Sequence, residues 1–289
     1  DSRIAVFETL PLEEYLAGVL PAEMPPLWPI EALKAQAITA RSDVLNHLGY
    51  KHVLEGFHFT NSEGDRVYAG FGGRHPATDA AVRETRGRVL IIGRRIVPAV
   101  FSSNCGGWTE DNDTVWSGPP DESLRGVSDL KGGPANPALN VISWLQHQPP
   151  AYCSGDLKGY RWTRRITAEQ LDQLVNKAYP VGKIRSIELG ERGVSGRLKW
   201  VRVVGSQGTA TIQKELPIRQ AFGGLPSAML IIKSEPGPSG PSAWSFTGGG
   251  RGHGEGLCQH GARGRALEGA ANEAIVRHYF PGATLETVR

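Results

Sequence analysis

The chain has 289 residues, 39% of them apolar and 21% charged, which is enough to bury a sizeable core in a globular protein. The net charge is only +3 and no lysine- and arginine-rich run is present, so the sequence argues against a nucleic-acid-binding protein. No stretch approaches the roughly 18 consecutive apolar residues of a membrane helix. The chain begins at Asp1 without a leader peptide, so we expect a mature or trimmed product.

The first hundred residues contain the clearest helical pattern. A short helix is predicted over 12–20, between Pro11 and Pro21, followed by a rigid proline-rich turn. Apolar residues at helical spacing then predict a long helix over 30–48. Two strands, 89–92 and 96–101, are expected to form a hairpin around a Gly-Arg turn.

The remainder alternates loops with short elements. Residues 117–155 are rich in proline and glycine and predict a loop-rich excursion. Thr167 and Gln170 form a capping box that opens a helix to about residue 177. Short strands are predicted at 186–189, 198–204, 210–212 and 230–233, a loop at 234–241, and helices at 258–267 and 272–279. Because helices and strands interleave without βαβ order, we predict an α+β fold, a single compact domain over 1–289 with a cleft.

Two cations lie in the apolar stripe of the long helix. At about 100° per residue, Lys34 and Arg41 fall on the same side as the apolar residues, although a buried charge must be paired. Either the aliphatic parts of their side chains extend along the edge of the helix to solvent, or the two cations line a cleft whose floor is this helix. The opposite face holds polar residues: Thr39, Ser42, Asp43 and Asn46.

Glu23 lies in the proline-bracketed turn that leads to this helix. Its apolar neighbours, Ala22 and Met24, would withdraw it from water and favour the protonated carboxylic acid. Protonation of a glycosidic oxygen needs such an acid. A solvated surface glutamate is the alternative.

The run 248–261 is the densest signal in the sequence, with glycine at alternate positions around His253. It fits neither the dinucleotide-binding fingerprint nor the P-loop, so nucleotide binding is disfavoured. The run is either a structural turn with a solvent-facing histidine or a substrate loop that leads into a helix.

The three cysteines, Cys105, Cys153 and Cys258, show no CxxC pattern and no neighbouring histidine cluster, so we expect no structural zinc, no other metal and no cofactor. A Cys105–His253 thiol pair is conceivable, but a buried inert thiol is the better interpretation. The loosely grouped His52, His58, Asp65 and His75 match no metal template and are interpreted as solvated loop residues.

Three segments together resemble the stage II sporulation protein D family, cell-wall proteins that include peptidoglycan lytic transglycosylases. They are 12–41, with LEEYLAGVLPAEMP and ALKAQAITAR; 77–116, with ATDAAVRETRG and FSSNCGGWTE; and 252–282, with GHGEGLCQHGA and YFPG. The segments occur in the family's order and span nearly the whole chain.

The resemblance implies that Glu23 is the catalytic acid and base, cleaving the MurNAc–GlcNAc bond without water to leave 1,6-anhydro ends. It also implies glycan contacts from Lys34, Gln36, Arg41, Ser102, Ser103, His253 and Gln259. The chain departs from the family pattern in three places. Thr60 and Asp65 stand where some members carry a cysteine pair, so we expect no zinc there; Leu257-Cys258 and Asn104-Cys105 replace the usual residues.

The leading hypothesis is therefore an extracytoplasmic lyase that cleaves peptidoglycan glycan strands, with strands stripped of their stem peptides as one candidate substrate. The main alternative is a non-catalytic glycan-binding module that enhances a cell-wall amidase, as some relatives do. A cysteine-dependent hydrolase that uses Cys105 or Cys258 is a third hypothesis. The periplasmic or cell-wall location follows from the inferred substrate.

Overall fold

The computed structural model describes residues 6–50, 52–61, 65, 67–132, 136–238 and 240–288. These residues form a mixture of helices and small sheets, so the predicted α+β class is confirmed. They group into two compact units: unit 1 comprises Asp1–Val100 with Arg265–Arg289, and unit 2 comprises Phe101–Gly264. The single domain with a glycan-binding cleft stays a prediction.

The helices and strands are numbered in chain order. The helices are α1 (Leu12–Glu23), α2 (Ile30–His47), α3 (Pro76–Glu84), α4 (Asn112–Val115), α5 (Val141–His147), α6 (Leu157–Tyr160), α7 (Ala168–Asn176), α8 (Glu215–Ala221), α9 (Gln259–Leu267) and α10 (Asn272–Tyr279). The strands are β1 (Arg88–Ile92), β2 (Arg95–Ile96), β3 (Phe101–Ser102), β4 (Arg161–Thr167), β5 (Ile184–Leu189), β6 (Trp200–Gly205), β7 (Thr209–Gln213), β8 (Leu230–Gly237), β9 (Gly240–Gly249), β10 (Leu257–Cys258) and β11 (Thr284–Thr287). Three short 3₁₀ turns lie at Val53–Glu55, Phe71–Gly73 and Tyr152–Gly155.

Helix α2 is the centre of unit 1, and α1, α3, α10 and β1 pack around it. The polar face of this helix is buried as well, since Thr39, Ser42 and Asp43 are all buried. Thr39 and Ser42 donate their hydroxyl hydrogens to the helix carbonyls of Ala35 and Ile38, both over 2.8 Å, so burial leaves these donors satisfied.

The sheet of unit 1 has the order β11-β1-β2, with both pairs antiparallel. The predicted hairpin is confirmed for β1 and β2, where Ile91 pairs with Ile96 across the Gly-Arg turn. The second strand is shorter than predicted and ends at Ile96, and the separate strand β3 pairs instead with β10. Strand β11, which the sequence did not reveal, completes the sheet from the far end of the chain.

Unit 2 contains two antiparallel three-stranded sheets, β4-β9-β8 and β5-β6-β7, and the short parallel pair β3–β10. The large sheets share an apolar core with α7 and α8, in which Phe222 and Phe246 are completely buried. The predicted loop over 234–241 is wrong, because this segment forms the end of the long β8–β9 hairpin. The capping box of Thr167 and Gln170 is confirmed at the start of α7.

The segment 117–155 is mostly irregular apart from α5 and a 3₁₀ turn, yet it is not confined to the surface. Several of its side chains are buried, among them Leu124, Asp129, Trp144, Leu145 and Cys153. The segment therefore supplies part of the interior of unit 2.

Among the described residues, no helix is both long and apolar enough to cross a membrane.

Candidate functional site

Glu23 is the last residue of α1. The predicted end of this helix before Pro21 is wrong, since the helix continues through Pro21 and ends where the Met24 amide donates to the Leu20 carbonyl. Pro21 lacks the amide hydrogen that would donate to the Ala17 carbonyl, so the helix continues through it with one hydrogen bond fewer. Glu23 is half-buried, the next residue, Met24, is fully buried, and Ala22 is exposed.

The two cations of α2 are both held in ion pairs. Lys34 lies 2.9 Å from each of Glu31 and Glu84, and its hydrogen bond to Glu84, followed by that to Glu31, raises the pKa of its ammonium group. Arg41 is completely buried and forms a two-pronged pair with Glu13 of α1, at 2.9 and 2.7 Å.

Arg41 therefore follows neither alternative that its place in the apolar stripe allowed. Its Nη1 also donates to the Arg88 carbonyl over 3.1 Å, and its Nη2 donates to the Val82 carbonyl over 3.3 Å. Since these partners lie on α1, α3 and β1, Arg41 joins the elements of unit 1 that pack around α2.

Gln36 lies about 200° around α2 from Lys34, on the other side of the helix. Its side chain is fully buried, and within the described part of the chain neither its amide nitrogen nor its amide oxygen has a hydrogen-bond partner. A buried unsatisfied amide costs about 1–3 kcal/mol and calls for an explanation at that position.

Unit 2 brings the other four predicted residues together around the parallel strands β3 and β10. Ser102 pairs in register with Cys258, so Ser103 and Gln259 follow the two strands at the same end. The His260 amide donates to the Ser103 carbonyl over 3.1 Å, which fixes this neighbourhood. The Ser102 hydroxyl is buried without a partner in the described residues, and Gln259 is nearly buried.

His253 belongs to the same group, and its hydrogen bonds define its protonation. Nε2 lies 2.8 Å from the Phe101 carbonyl, which can only accept, while Nδ1 lies 3.2 Å from the Glu255 amide, which can only donate. The ring is therefore neutral, with its proton on Nε2. Its face lies 5.5 Å from the Trp116 ring, and it is half-buried rather than solvent-facing.

The glycine-rich run closes around a buried arginine. Arg197 is completely buried, and both of its terminal nitrogens donate to the Cys105 carbonyl over 3.3 Å. A Cβ added to Gly254 would lie 2.1 Å from the Arg197 guanidinium carbon, and Gly254 has φ +81°. Glycine at this position is thus required by packing and by backbone conformation.

Two buried carboxylates in this region were not expected from the sequence. Glu110 accepts hydrogen bonds from the Ser195 hydroxyl at 2.6 Å and from the Asp111 amide at 2.9 Å, yet burial keeps its pKa raised. Burial raises the pKa of Glu255 to about 8, against smaller opposing effects from the Trp116 side chain and Arg125. Full burial of Glu255 excludes direct contact with a polymeric substrate in this conformation. Its only signal in the sequence is its place inside the glycine-rich run.

The three cysteines and Asp129 form a buried cluster. One ligand-type atom of each of Cys105, Asp129, Cys153 and Cys258 lies within 4.8 Å of the others. Spacing along the sequence missed this group because its members come from four separate segments. The Cys105–His253 pair is wrong, since both ring nitrogens of His253 bond elsewhere, and burial of all three thiols argues against a cysteine nucleophile.

Thr60 and Asp65, at the positions of the family's cysteine pair, bond directly to each other. The Thr60 hydroxyl and amide donate to Asp65 Oδ2 over 2.6 and 2.8 Å, and His52 Nε2 lies 3.3 Å from the same oxygen. The sequence suggested that Asp65 is a solvated loop residue, but its side chain is buried.

Comparison with known proteins finds two family models that match separate parts of the chain. Residues 1–91 match the family model described as SpoIID, Stage II sporulation protein. Residues 110–256 match a second model, Domain of unknown function (DUF8618).

Several relatives are similar to this chain over the residues that both family models match. An uncharacterized protein of Brachyspira hyodysenteriae (strain ATCC 49526 / WA1) is 28% identical over 99% of this chain and 69% of its own length. The Amidase enhancer of Bacillus subtilis (strain 168) is 28% identical over 93% of this chain, which spans 40% of that protein. The Stage II sporulation protein D of the same organism is 26% identical over 96% of this chain and 75% of its own length. Residues 1–91 therefore match the stage II sporulation protein D family, and relatives that include the Stage II sporulation protein D of Bacillus subtilis are similar over nearly the whole chain.

Proposed function

We propose that this chain is a peptidoglycan lytic transglycosylase in which Glu23 is both acid and base. Glu23 protonates the oxygen between MurNAc and GlcNAc as positive charge develops at C1 of MurNAc. The resulting carboxylate then takes the proton of the MurNAc 6-hydroxyl, whose oxygen closes on C1. The products are a 1,6-anhydroMurNAc end and a free GlcNAc hydroxyl, and no water is consumed.

The position of Glu23 carries this proposal. Glu23 is half-buried at the carboxyl-terminal end of α1, beside the fully buried Met24. This setting leaves the residue partly accessible to a ligand. One carboxyl group suffices because the nucleophile belongs to the substrate, unlike the paired carboxylates of hydrolases.

The remaining predicted residues support glycan binding in two different ways. In unit 1, Lys34 retains 18% exposure of its side chain. The amide of Gln36, which no described residue satisfies, is fully buried, so it can form hydrogen bonds to a sugar only after the side chains around it move. Arg41 is better assigned as a positioning residue, because it holds α1, and with it Glu23, through Glu13.

In unit 2, Ser102, Ser103 and Gln259 offer hydroxyl and amide groups at one end of the β3–β10 pair. The ring nitrogens of His253 are already bonded, so we assign its ring face, with the 43%-exposed Trp116, to stacking against a sugar. The substrate implies an extracytoplasmic location, at the periplasm or the cell-wall face.

The test is incubation of the chain with peptide-free glycan strands, followed by mass spectrometry of the fragments. We expect fragments one water lighter than hydrolysis products, and a loss of at least about 100-fold in rate for Glu23→Gln, since acid–base catalysis is worth that much. Glu14→Gln is the matched control, because Glu14 is an exposed glutamate on the same helix. Fragments with full reducing ends would show hydrolysis instead, and equal loss in both variants would dismiss the role of Glu23.

A non-catalytic enhancer of a cell-wall amidase is the second candidate, favoured by the similarity to the Amidase enhancer of Bacillus subtilis. In that case the chain releases no glycan fragments, but it increases stem-peptide release when a purified amidase is added to peptidoglycan. Glu23→Gln would keep that effect. Retained enhancement with no glycan cleavage would replace the lyase proposal.

A further inference from the structure

The cluster of Cys105, Asp129, Cys153 and Cys258 has the composition of a closed metal site. All four residues are completely buried, and their sulfur and carboxylate atoms converge within 4.8 Å. Cys105 follows β3, Asp129 lies in the irregular segment before α5, Cys153 lies in the 3₁₀ turn Tyr152–Gly155, and Cys258 ends β10. All four belong to unit 2.

Two separations in the cluster match those of ligands bound to one small ion. The sulfurs of Cys105 and Cys153 are 3.7 Å apart, far beyond the roughly 2.05 Å of a disulfide bond. Two sulfurs bound to one tetrahedral zinc at about 2.3 Å each would lie about 3.8 Å apart. The 3.8 Å between Cys105 Sγ and Asp129 Oδ2 is close to the roughly 3.6 Å expected for a sulfur and an oxygen on the same ion.

Composition separates this cluster from an ordinary packing of thiols. Contact between two inert thiols would also give the observed sulfur separation, but here three sulfurs and a carboxylate oxygen, all of them ligand types of zinc, converge in one buried place.

Backbone amides around the cluster form hydrogen bonds to its sulfur and carboxylate atoms, as they often do around the ligands of a metal site. Cys258 Sγ accepts backbone hydrogen bonds from Cys105 at 3.2 Å and from Gly261 at 3.3 Å, and the Cys153 amide donates to Asp129 Oδ2 at 3.1 Å. Such second contacts orient the first ligands of metal sites. The buried guanidinium of Arg197 donates to the Cys105 carbonyl, which offsets the excess negative charge of a thiolate-rich site.

We propose that Cys105, Asp129, Cys153 and Cys258 bind one Zn²⁺ as a structural site. Three sulfurs and one oxygen in a buried cluster suit zinc, whereas magnesium and calcium require oxygen ligands. The ion joins the segment 117–155 to both strands of the β3–β10 pair. It therefore holds Ser103 and Gln259 in place without taking part in a reaction.

The first test is the metal content of the full chain, purified without chelator and measured by plasma mass spectrometry. We expect about one zinc per chain, and a lower melting temperature after removal of the metal by a chelator at mild denaturant concentration. Asp129→Asn should reduce the bound zinc severalfold, while Asp156→Asn, which removes a nearby carboxylate outside the cluster, should leave it at about one.

A second measurement avoids variants that fail to fold. The metal-free wild-type chain, titrated with Co²⁺, should develop the intense visible absorption of tetrahedral cobalt with thiolate ligands and lose it when zinc is added. Failure to take up either ion, a Cys105–Cys153 disulfide in the freshly purified chain, or stoichiometric iron in place of zinc would each overturn the proposal. None of these measurements uses a glycan, so their outcome is independent of the lyase proposal.

Discussion

At the scale of single residues, buried polar groups separate into those that serve the fold and those that the fold leaves unsatisfied. Arg41 and His253 belong to the family motifs. The side chain of Arg41 forms hydrogen bonds within unit 1, and that of His253 forms hydrogen bonds within unit 2. Gln36 has the same degree of burial as Arg41 and no such partner in the described residues. A motif residue whose side chain forms no hydrogen bond within the described part of the fold is the stronger candidate for a ligand contact.

Gln36→Met should stabilise the protein while weakening glycan cleavage. The substitution keeps the volume of the side chain and removes two unsatisfied polar atoms, so the free energy of unfolding should increase by about 1 kcal/mol. Denaturant unfolding measures the first effect, and fragment release from glycan strands measures the second. A destabilised variant with full activity would contradict both the missing partner and the ligand role.

Glu255 should make stability depend on pH. Burial raises its pKa to about 8 in the folded protein, so between pH 5 and 8 the folded state holds a proton that the unfolded chain has released. The free energy of unfolding should therefore fall as the pH rises through this range, by several kcal/mol at most, because each pKa unit is worth about 1.4 kcal/mol.

Glu255→Gln should flatten this slope, since glutamine stays neutral throughout. Unfolding by urea at pH 5, 6.5 and 8 measures it, with Glu188→Gln as an exposed control that should leave the slope unchanged. A parallel pH profile for Glu255→Gln and the wild type would show that another group is responsible.

The sequence anticipated residue types better than residue environments. It singled out Gln36, Ser103 and Gln259, whose ligand role stays a prediction, but it missed the cysteine cluster. Two departures from the family pattern, Cys105 and Cys258, belong to that cluster. Neither could be connected with Asp129 or Cys153 from spacing, because only the tertiary fold brings the four segments together.

At the scale of elements, the glycine-rich run shows how a local pattern can have a packing cause. Gly254 lies against Arg197 with a left-handed backbone, whereas Gly224 has a similar φ of +74° and open space around its Cβ position. The two positions therefore separate the cost of backbone strain from the cost of overlap.

Gly224→Ala should cost about 1–2 kcal/mol, the usual cost of a left-handed backbone for a residue with a Cβ. Gly254→Ala should cost more than about 4 kcal/mol, because it adds overlap with a buried guanidinium to the same strain. Chemical denaturation of both variants tests the difference. Equal costs would show that the run is shaped by conformation and not by Arg197.

Local patterns predicted the longer helices more reliably than the short ones. The bounds of α2 and α10 are close to the prediction because apolar spacing and the proline residues beside them mark both helices. The strand β9 and the helix α8 were missed; β9 follows directly on a hairpin end whose proline and glycine content favours a loop. Strand β11 is short and forms by pairing with β1, a partner nearly two hundred residues away that no local signal reveals.

At the scale of the whole molecule, unit 1 is discontinuous: unit 2 is inserted between its two parts. The carboxyl-terminal part is integral to its core, because α10 packs on α2 and Tyr279 and Phe280 are completely buried. The Glu31 carboxylate also accepts hydrogen bonds from the amide and side chain of Asn272, at 2.7 and 2.6 Å.

Truncation after residue 264 should therefore unfold unit 1, and hydrogen exchange should show rapid exchange of the α2 amides. A truncation after residue 282 is the control, since it removes β11 but keeps α10 and should retain protection in α2. Protected α2 amides in the shorter chain would show that residues 1–100 form a stable core without their carboxyl-terminal partner.

The Glu31–Asn272 contact also sets an order of events during synthesis. Its two residues are 241 positions apart, and at about 5–20 residues per second the ribosome needs on the order of ten seconds or more to make the chain between them. Through that interval α2 has emerged without α10, while the residues of unit 2 are completed as one uninterrupted stretch. The amino-terminal part that bears Glu23 is thus made first and can finish folding only last.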